Sequence, residues 1–367
     1  MTPDLVATPV ARRSCRARFA LLALLAGLVA ACGEVTTPAV DAPPAVARPT
    51  PRPPVTLAIA GFSATREVLG SKQLPAFAKK WRREHEQPIS FNPVFAGSEA
   101  LTDVVMSGFA ADLAMLALPP DMDRLVDAGL VRASWREAPN GGIVCRSAIA
   151  FGVRKGNPKG IRTWADLARP DVRVVSPDPA TSGGGISNLC AVYGAALRGH
   201  AGVPAADDAA ARAFVVRVLA NVVQQHKSTC ESFRAFQAGL GDVAITYESE
   251  IVLGWMFGHG DERVVPASTL LVEHPAALLD RHVDAHEVRG PAEALLAYLW
   301  SPEAQRRFAA CGLRPVDRAV AAAAATAGQF PQPEDLWTIE DLGGWDRVLP
   351  AIRPLTAAPT PATPAGR

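Results

Sequence analysis

From Val55 onward, short apolar runs alternate with stretches whose apolar residues recur at helical spacing. Runs at 55–61, 89–95, 112–118, 149–155, 172–175, 242–247 and 263–267 read as strands. Between them, Leu74, Phe77, Ala78 and Trp81 fall at i, i+3, i+4 and i+7, one face of a helix. Ser98 is placed to cap a helix carrying Leu101, Val104 and Val105, and 122–130 reads as a short helix. Thr163-Trp164-Ala165-Asp166 has the spacing of a capping box with Asp in place of Glu. Further helices are expected near 186–198 and 206–222, and Ser301-Pro302 opens another with Pro at its first position. A strand–helix rhythm of this kind builds open sheets covered by helices on both faces, with ligands bound at the carboxyl ends of the strands.

The first residues follow a different pattern. Arg12, Arg13, Arg16 and Arg18 precede an apolar run from Phe19 to Val29, which is too short to span a bilayer as a helix. It ends in Val29-Ala30-Ala31-Cys32, which resembles a bacterial lipobox. Residues 1–31 are therefore expected to be a lipoprotein signal peptide, with Cys32 lipidated as the mature N-terminus. Residues 32–54 are rich in Pro and Ala, without apolar periodicity, and read as a tether. The stretch 351–367 has similar composition and is expected to be disordered.

Composition narrows the function. Apolar residues make up 49% of the chain and charged residues 20%, as in a soluble protein with a substantial core. With 37 basic and 36 acidic residues, net charge gives no sign of a nucleic-acid or polyanion surface. A single anion is another matter, because dipoles can hold it.

Four strand-to-helix junctions supply such dipoles. Gly61-Phe62-Ser63-Ala64-Thr65 follows the first strand and Ala96-Gly97-Ser98-Glu99 the second. Pro179-Ala180-Thr181-Ser182-Gly183-Gly184-Gly185 follows the strand at 172–175, and Lys227-Ser228-Thr229-Cys230 precedes a helix with Phe233 and Phe236. Each offers a hydroxyl and free backbone N–H groups at a helix start, where the partial charge is positive. Any one of them alone is equally an ordinary cap. Glu99, one residue past a cap, is expected to face solvent. His282 and His286 stand four apart among charged residues, and Trp81, Trp164 and Trp300 read as packing. The sequence has no GxSxG and no Walker-type Gly-Lys-Ser/Thr.

Longer motifs then become specific. Phe151-Gly152-Val153-Arg154-Lys155-Gly156-Asn157-Pro158-Lys159, Trp164-Ala165-Asp166-Leu167 and Val175-Ser176-Pro177-Asp178-Pro179 resemble the sulfate- and thiosulfate-binding proteins of ABC transporters. So do Gly241-Asp242-Val243, Tyr247-Glu248-Ser249-Glu250, Ser301-Pro302-Glu303 and Arg314-Pro315, in order, over roughly 55–349. The resemblance implies a binding protein, not an enzyme, with no cofactor or metal. Its ligand would be a desolvated oxyanion held by neutral donors. Ser63, Ser98, Ser182, Gly183, Gly184, Ser228 and Tyr247 are the positions implied to contact it. Three depart from the family pattern: Ser63 replaces an Asp, Tyr247 replaces a Trp, and 227–230 does not preserve a Gly-Ala-Arg-Gly-like loop.

The resemblance further implies a type II periplasmic binding protein fold, α/β and two-lobed, with open mixed sheets and a hinge. Lobe 1 would comprise 55–145 and 252–320, lobe 2 146–251, and 321–350 would form a C-terminal helical segment. This arrangement favours disulfides Cys190–Cys230 and Cys145–Cys311, with free buried thiols as the alternative. The expected partners are an oxyanion and ABC permease subunits, with membrane contact through the N-terminal lipid only and the chain monomeric on the periplasmic side of the envelope. Sulfate or thiosulfate is the leading ligand. Phosphate, molybdate or an organosulfonate, or a surface lipoprotein that has lost ligand binding, are the alternatives.

Overall fold

The computed structural model describes residues 52–357. The expected signal peptide (1–31), Cys32, most of the expected tether and residues 358–367 lie outside the described residues.

Among the described residues, eleven strands form one continuous mixed sheet: β1 (Val55–Phe62), β2 (Ile89–Ala96), β3 (Leu113–Met115), β4 (Ile143–Val153), β5 (Val174–Pro177), β6 (Val222–His226), β7 (Val243–Tyr247), β8 (Glu262–Val264), β9 (Ser268–Leu278), β10 (Arg314–Pro315) and β11 (Asp335–Trp337). The main path runs β2-β1-β3-β9-β4-β7-β5-β6. One end is parallel, with β1 between β2 and β3, and so is the other, with β5 between β6 and β7. Two long antiparallel strands join them. Along β4, residues up to Ala148 pair with β9, and from Ile149 the strand pairs with β7.

The register of the parallel pairs positions the site. Phe62 lies opposite Ala96, and Pro177 opposite His226, so neighbouring strands end level with one another. Each then leads within a few residues into a helix or helical turn. Helix Gly183–Leu197 is apolar on nearly every side and buried over all but its last residue, as expected for a helix covered on all faces. Trp337 of β11 packs on it so closely that a methyl on Gly194 would lie 2.1 Å from the indole ring. Trp164 is fully buried and donates to the Ser268 carbonyl at 2.7 Å.

The structure corrects several expectations. Strand 112–118 shrinks to three residues, and 149–155 is the second half of an eleven-residue strand. Strands β6 and β9 were not expected. β9 is Ser-Thr-Leu-Leu-Val-Glu-His-Pro-Ala-Ala-Leu, mostly buried on both faces, so it shows no alternation. Residues 321–350 contribute β11 as well as helices, and a helical turn continues through Ala357. The capping box at Thr163 and the cap at Ser301 form as expected. Cys145, Cys190, Cys230 and Cys311 are free thiols, so neither expected disulfide is present. Cys145 lies within β4 and Cys190 within the enclosed helix, both fully buried among apolar groups, where cysteine serves as a small hydrophobe.

Candidate functional site

The carboxyl ends of β1, β2, β5, β6 and β7 lead to the seven expected residues, and Ser63, Ser98, Ser182, Ser228 and Tyr247 are all buried. The two parallel ends of the sheet face one another here. A Cβ built on Gly183 would lie 2.8 Å from the Ala117 methyl and 3.2 Å from Ser98 Cβ. Ser98 and the glycine turn therefore share one interior. Gly97 is pressed still more tightly, because its Cβ would come within 2.2 Å of the Thr181 carbonyl oxygen and 2.5 Å of that of Lys227.

The glycine turn is buried and packed so closely that no side chain fits on it. A Cβ on Gly184 would lie 2.1 Å from Thr229 Cγ2, and one on Gly185 2.6 Å from the Pro179 nitrogen. Gly183 and Gly184 begin a fifteen-residue helix, so their N–H groups have no acceptor within it. Ser182 is the N-cap residue but its hydroxyl makes no capping bond. Ser63 Oγ stands 3.4 Å from Thr229 Oγ1. Tyr247 lies at the start of helix Glu248–Met256, with its hydroxyl 3.4 Å from Ser187 Oγ. Burial holds its phenol well above the ordinary range, so it stays a donor.

One expected residue is placed differently from the sequence reading. Ser98 does not cap its helix: Gly97 occupies the N-cap position and Ser98 is the first helical residue. Its hydroxyl accepts from the Ala117 N–H at 2.9 Å and donates to Asp121 Oδ2. Ser228 does cap, accepting from the Glu231 N–H at 3.2 Å, which commits its hydroxyl to the helix. Glu99 does not face solvent freely. Its side chain is 13% exposed and pairs with Arg124 at 3.0 Å and Arg353 at 3.6 Å, and burial still raises its pKa.

Sequence reasoning missed Asp121, His274 and Thr229. Burial, reinforced by the nearby charge of Glu99, pushes Asp121 up to about 8, against the hydrogen bond from Ser98. Its carboxyl is therefore largely protonated at neutral pH. His274 on β9 is fully buried, and burial lowers it to about 4, so its ring is neutral. Nδ1 sits 3.0 Å from the Ala117 carbonyl, which fixes the proton there, and Nε2 has no partner. The ring packs edge-on against Tyr247 and beside Phe62. No local pattern marks Asp121 or His274, which reach the site through the long-range course of the chain, and Thr229 lies in the helix start at 227–230 without a role assigned to it there.

The interior thus combines a glycine turn, small hydroxyls, a neutral imidazole and a protonated carboxyl, while Arg124 and Arg353 are paired with Glu99. Such a set stabilises an anion through backbone dipoles and hydroxyl donors. The family model for bacterial extracellular solute-binding proteins matches residues 71–314. The chain belongs to that family. A sulfate-binding protein of Synechocystis is 34% identical over 333 residues, covering 90% of this chain and 91% of the relative. A thiosulfate-binding protein of Escherichia coli is 31% identical over 295 residues, covering 78% and 85%. The solved sulfate-binding protein SubI from Mycobacterium tuberculosis superposes with a TM-score of 0.73 at 33% identity, covering 81% of this chain and 98% of that one. The periplasmic thiamin binding protein shares the fold at 15% identity and a TM-score of 0.60. The expected α/β fold of type II periplasmic binding proteins is therefore the fold of this solute-binding protein.

Proposed function

We propose that this protein captures sulfate, or thiosulfate, between two α/β lobes and delivers it to an ABC permease for import. The reading rests on one observation: Gly183, at the start of a helix from one parallel end of the sheet, packs against Ala117 and Ser98 from the other. An ion placed at that turn meets donors from both sides. The Gly183 and Gly184 N–H groups, the Ser182 and Ser63 hydroxyls and the Tyr247 phenol would supply hydrogen bonds to a dianion that carries no proton. Ser98 and Ser228 would act chiefly by shaping their helix starts. The names of the relatives support this class of ligand.

In this reading lobe 1 is 55–145 with 252–320 and lobe 2 is 146–251, and the chain crosses between them within β4 and within helix Glu248–Met256. Closure completes the donor set, so the ligand favours the closed state. The chain works as a monomer without catalytic turnover, exported by residues 1–31 and held on the periplasmic side of the envelope by a lipid on Cys32.

Isothermal titration with sulfate, thiosulfate, phosphate and molybdate tests the proposal. Tight binding of sulfate or thiosulfate is expected, and silence with every anion would overturn it. Hydrogen phosphate belongs in the series because Asp121, where ionised, is a buried acceptor of the kind a protonated anion uses.

A further inference from the structure

Beside the oxyanion turn lies a cavity of about 310 Å³, bounded by Ser63 and Arg66 on one side and by Cys230, Phe233, Glu250 and Phe257 on the other. Ser63 borders both spaces, and its contact with Thr229 forms the partition between them. Thr229 faces the glycine turn, and the next residue, Cys230, faces the cavity. Tyr247 and Glu250 begin the same helix, about 4.5 Å apart along its axis at 1.5 Å per residue.

Two groups lining the cavity lack partners. Gln237 has a buried Nε2 with no hydrogen-bond partner, and Glu250 is 6% exposed with none for its Oε1. Arg234 lies close enough to act on it electrostatically but forms no ion pair with it among the described residues. Arg66 is committed elsewhere, donating to the Phe95 carbonyl at 3.1 Å and lying over the Phe95 ring. Glu67 pairs with Lys72 at 3.8 Å, Cys230 is a neutral thiol, and His259 completes the titratable lining. A buried carboxylate without a partner calls for a cation or a donor. Phe233, Leu253 and Phe257 supply the apolar and aromatic surroundings that suit an ammonium on a short hydrocarbon stem. The volume, equivalent to about ten waters at ~30 Å³ each, is ample for such a group.

We propose that the cavity is the second half of the ligand site, so that the protein also takes small sulfonates bearing a protonated amine, their oxyanion at the Gly183–Gly184 turn and their ammonium against Glu250. This rests on the oxyanion reading above. The stem would have to pass between Ser63 and Thr229, so binding requires their 3.4 Å contact to open.

The test is titration calorimetry at pH 8 with sulfate, 2-aminoethanesulfonate and ethanesulfonate, on the full chain and on Glu250→Gln. The expected result is that 2-aminoethanesulfonate competes with sulfate and binds at least tenfold tighter than ethanesulfonate. Glu250→Gln removes that preference without weakening sulfate. Should that variant fail to fold, Phe257→Ala alters the exposed cavity wall and is expected to weaken the aminosulfonate about threefold, within the range of an exposed cation–π contact. Sulfate binding with no response to 2-aminoethanesulfonate overturns this inference and leaves the proposed function standing. An aminosulfonate affinity unchanged by both variants overturns it too. If ethylamine strengthens sulfate while 2-aminoethanesulfonate is inert, the cavity serves a separate amine and the single-ligand proposal falls. Binding of the aminosulfonate without any of sulfate keeps the inference and removes the proposed function, and inertness to both removes both.

Discussion

Gly97 and Thr181 meet backbone to backbone: a methyl group on Gly97 would sit 2.2 Å from the Thr181 carbonyl oxygen. The Ala100 N–H also reaches that oxygen at 3.3 Å. The two loops end strands at opposite parallel ends of the sheet, so their contact is a contact across the ligand interior. Gly97 is held at φ −58°, a conformation open to any residue, so the requirement for glycine here is one of space and not of backbone strain. Gly97→Ala is therefore expected to fold and to resist closure. With an overpacking cost of about 1–3 kcal/mol, sulfate affinity should fall by roughly 5- to 150-fold. Calorimetry measures the loss, and small-angle scattering should show the variant remaining extended at saturating sulfate.

Asp121 makes a pH dependence that sulfate itself cannot supply. Burial and then Glu99 raise its carboxyl to about 8, so the folded protein holds a proton that the unfolded chain releases near pH 4. The folded state binds more protons between those values, and its stability falls as pH rises through that window. Above about pH 8 the ionised carboxylate would also repel a dianion. Sulfate affinity is expected to be nearly flat from pH 5 to 7 and to decline above pH 8. Asp121→Asn should abolish the decline while still pairing with Ser98. Titrations from pH 5 to 9 on both proteins decide this, and an unchanged decline in the variant would show that another group is responsible.

Gly184 and Thr229 form a second steric pair. A methyl on Gly184 would overlap Thr229 Cγ2 at 2.1 Å, whereas no such methyl exists on serine. Gly184→Ala should weaken sulfate at least tenfold, and the double variant Gly184→Ala with Thr229→Ser should recover most of that loss. Failure of the second change to rescue the first would place the damage at the backbone N–H and not at the threonine. For the neighbouring positions, Ser182→Ala with Gly183→Asp is expected to abolish binding outright, since it sets a carboxylate at the anion turn.

What the sequence revealed about this site follows from how local each feature is. Glycines at 183–185 and hydroxyls before helices are local signals, and they led to Ser63, Ser182 and Gly184. The capping role expected of Ser98 was misjudged because its hydroxyl's partners, Ala117 and Asp121, stand further along the chain. His274 and β9 were invisible for the same reason. A strand buried on both faces loses its alternation, and β9 also contains Glu273 and Pro275. Thr229 was read as part of a helix start, although its methyl is the wall against which Gly184 is fitted. The strand-helix rhythm and longer motifs carried the fold, whereas the pairing of distant residues had to be seen in space.

Glu248 is fully buried where β7 turns into its helix, next to the point at which β4 changes partners. Arg314 on β10 donates to it through Nε at 2.5 Å and Nη2 at 3.1 Å, and the Ala148 N–H donates at 3.1 Å. Arg263 adds a further positive charge at 3.8 Å. The pair thus ties β4, β10 and the helix after β7 together across the crossover. Removing one partner strands the other charge without water. Glu248→Gln is expected to cost about 3–5 kcal/mol in urea unfolding, the range for breaking a buried pair. Arg314→Lys keeps the charge but loses the two-pronged geometry. If the pair acts only on stability, both variants will keep the sulfate affinity of the parent once folded. If it also sets the hinge, affinity will shift in Arg314→Lys while the oxyanion contacts remain intact. A stability loss below about 1 kcal/mol in Glu248→Gln, as expected of an exposed pair, would refute the assignment of this contact as the anchor of the crossover.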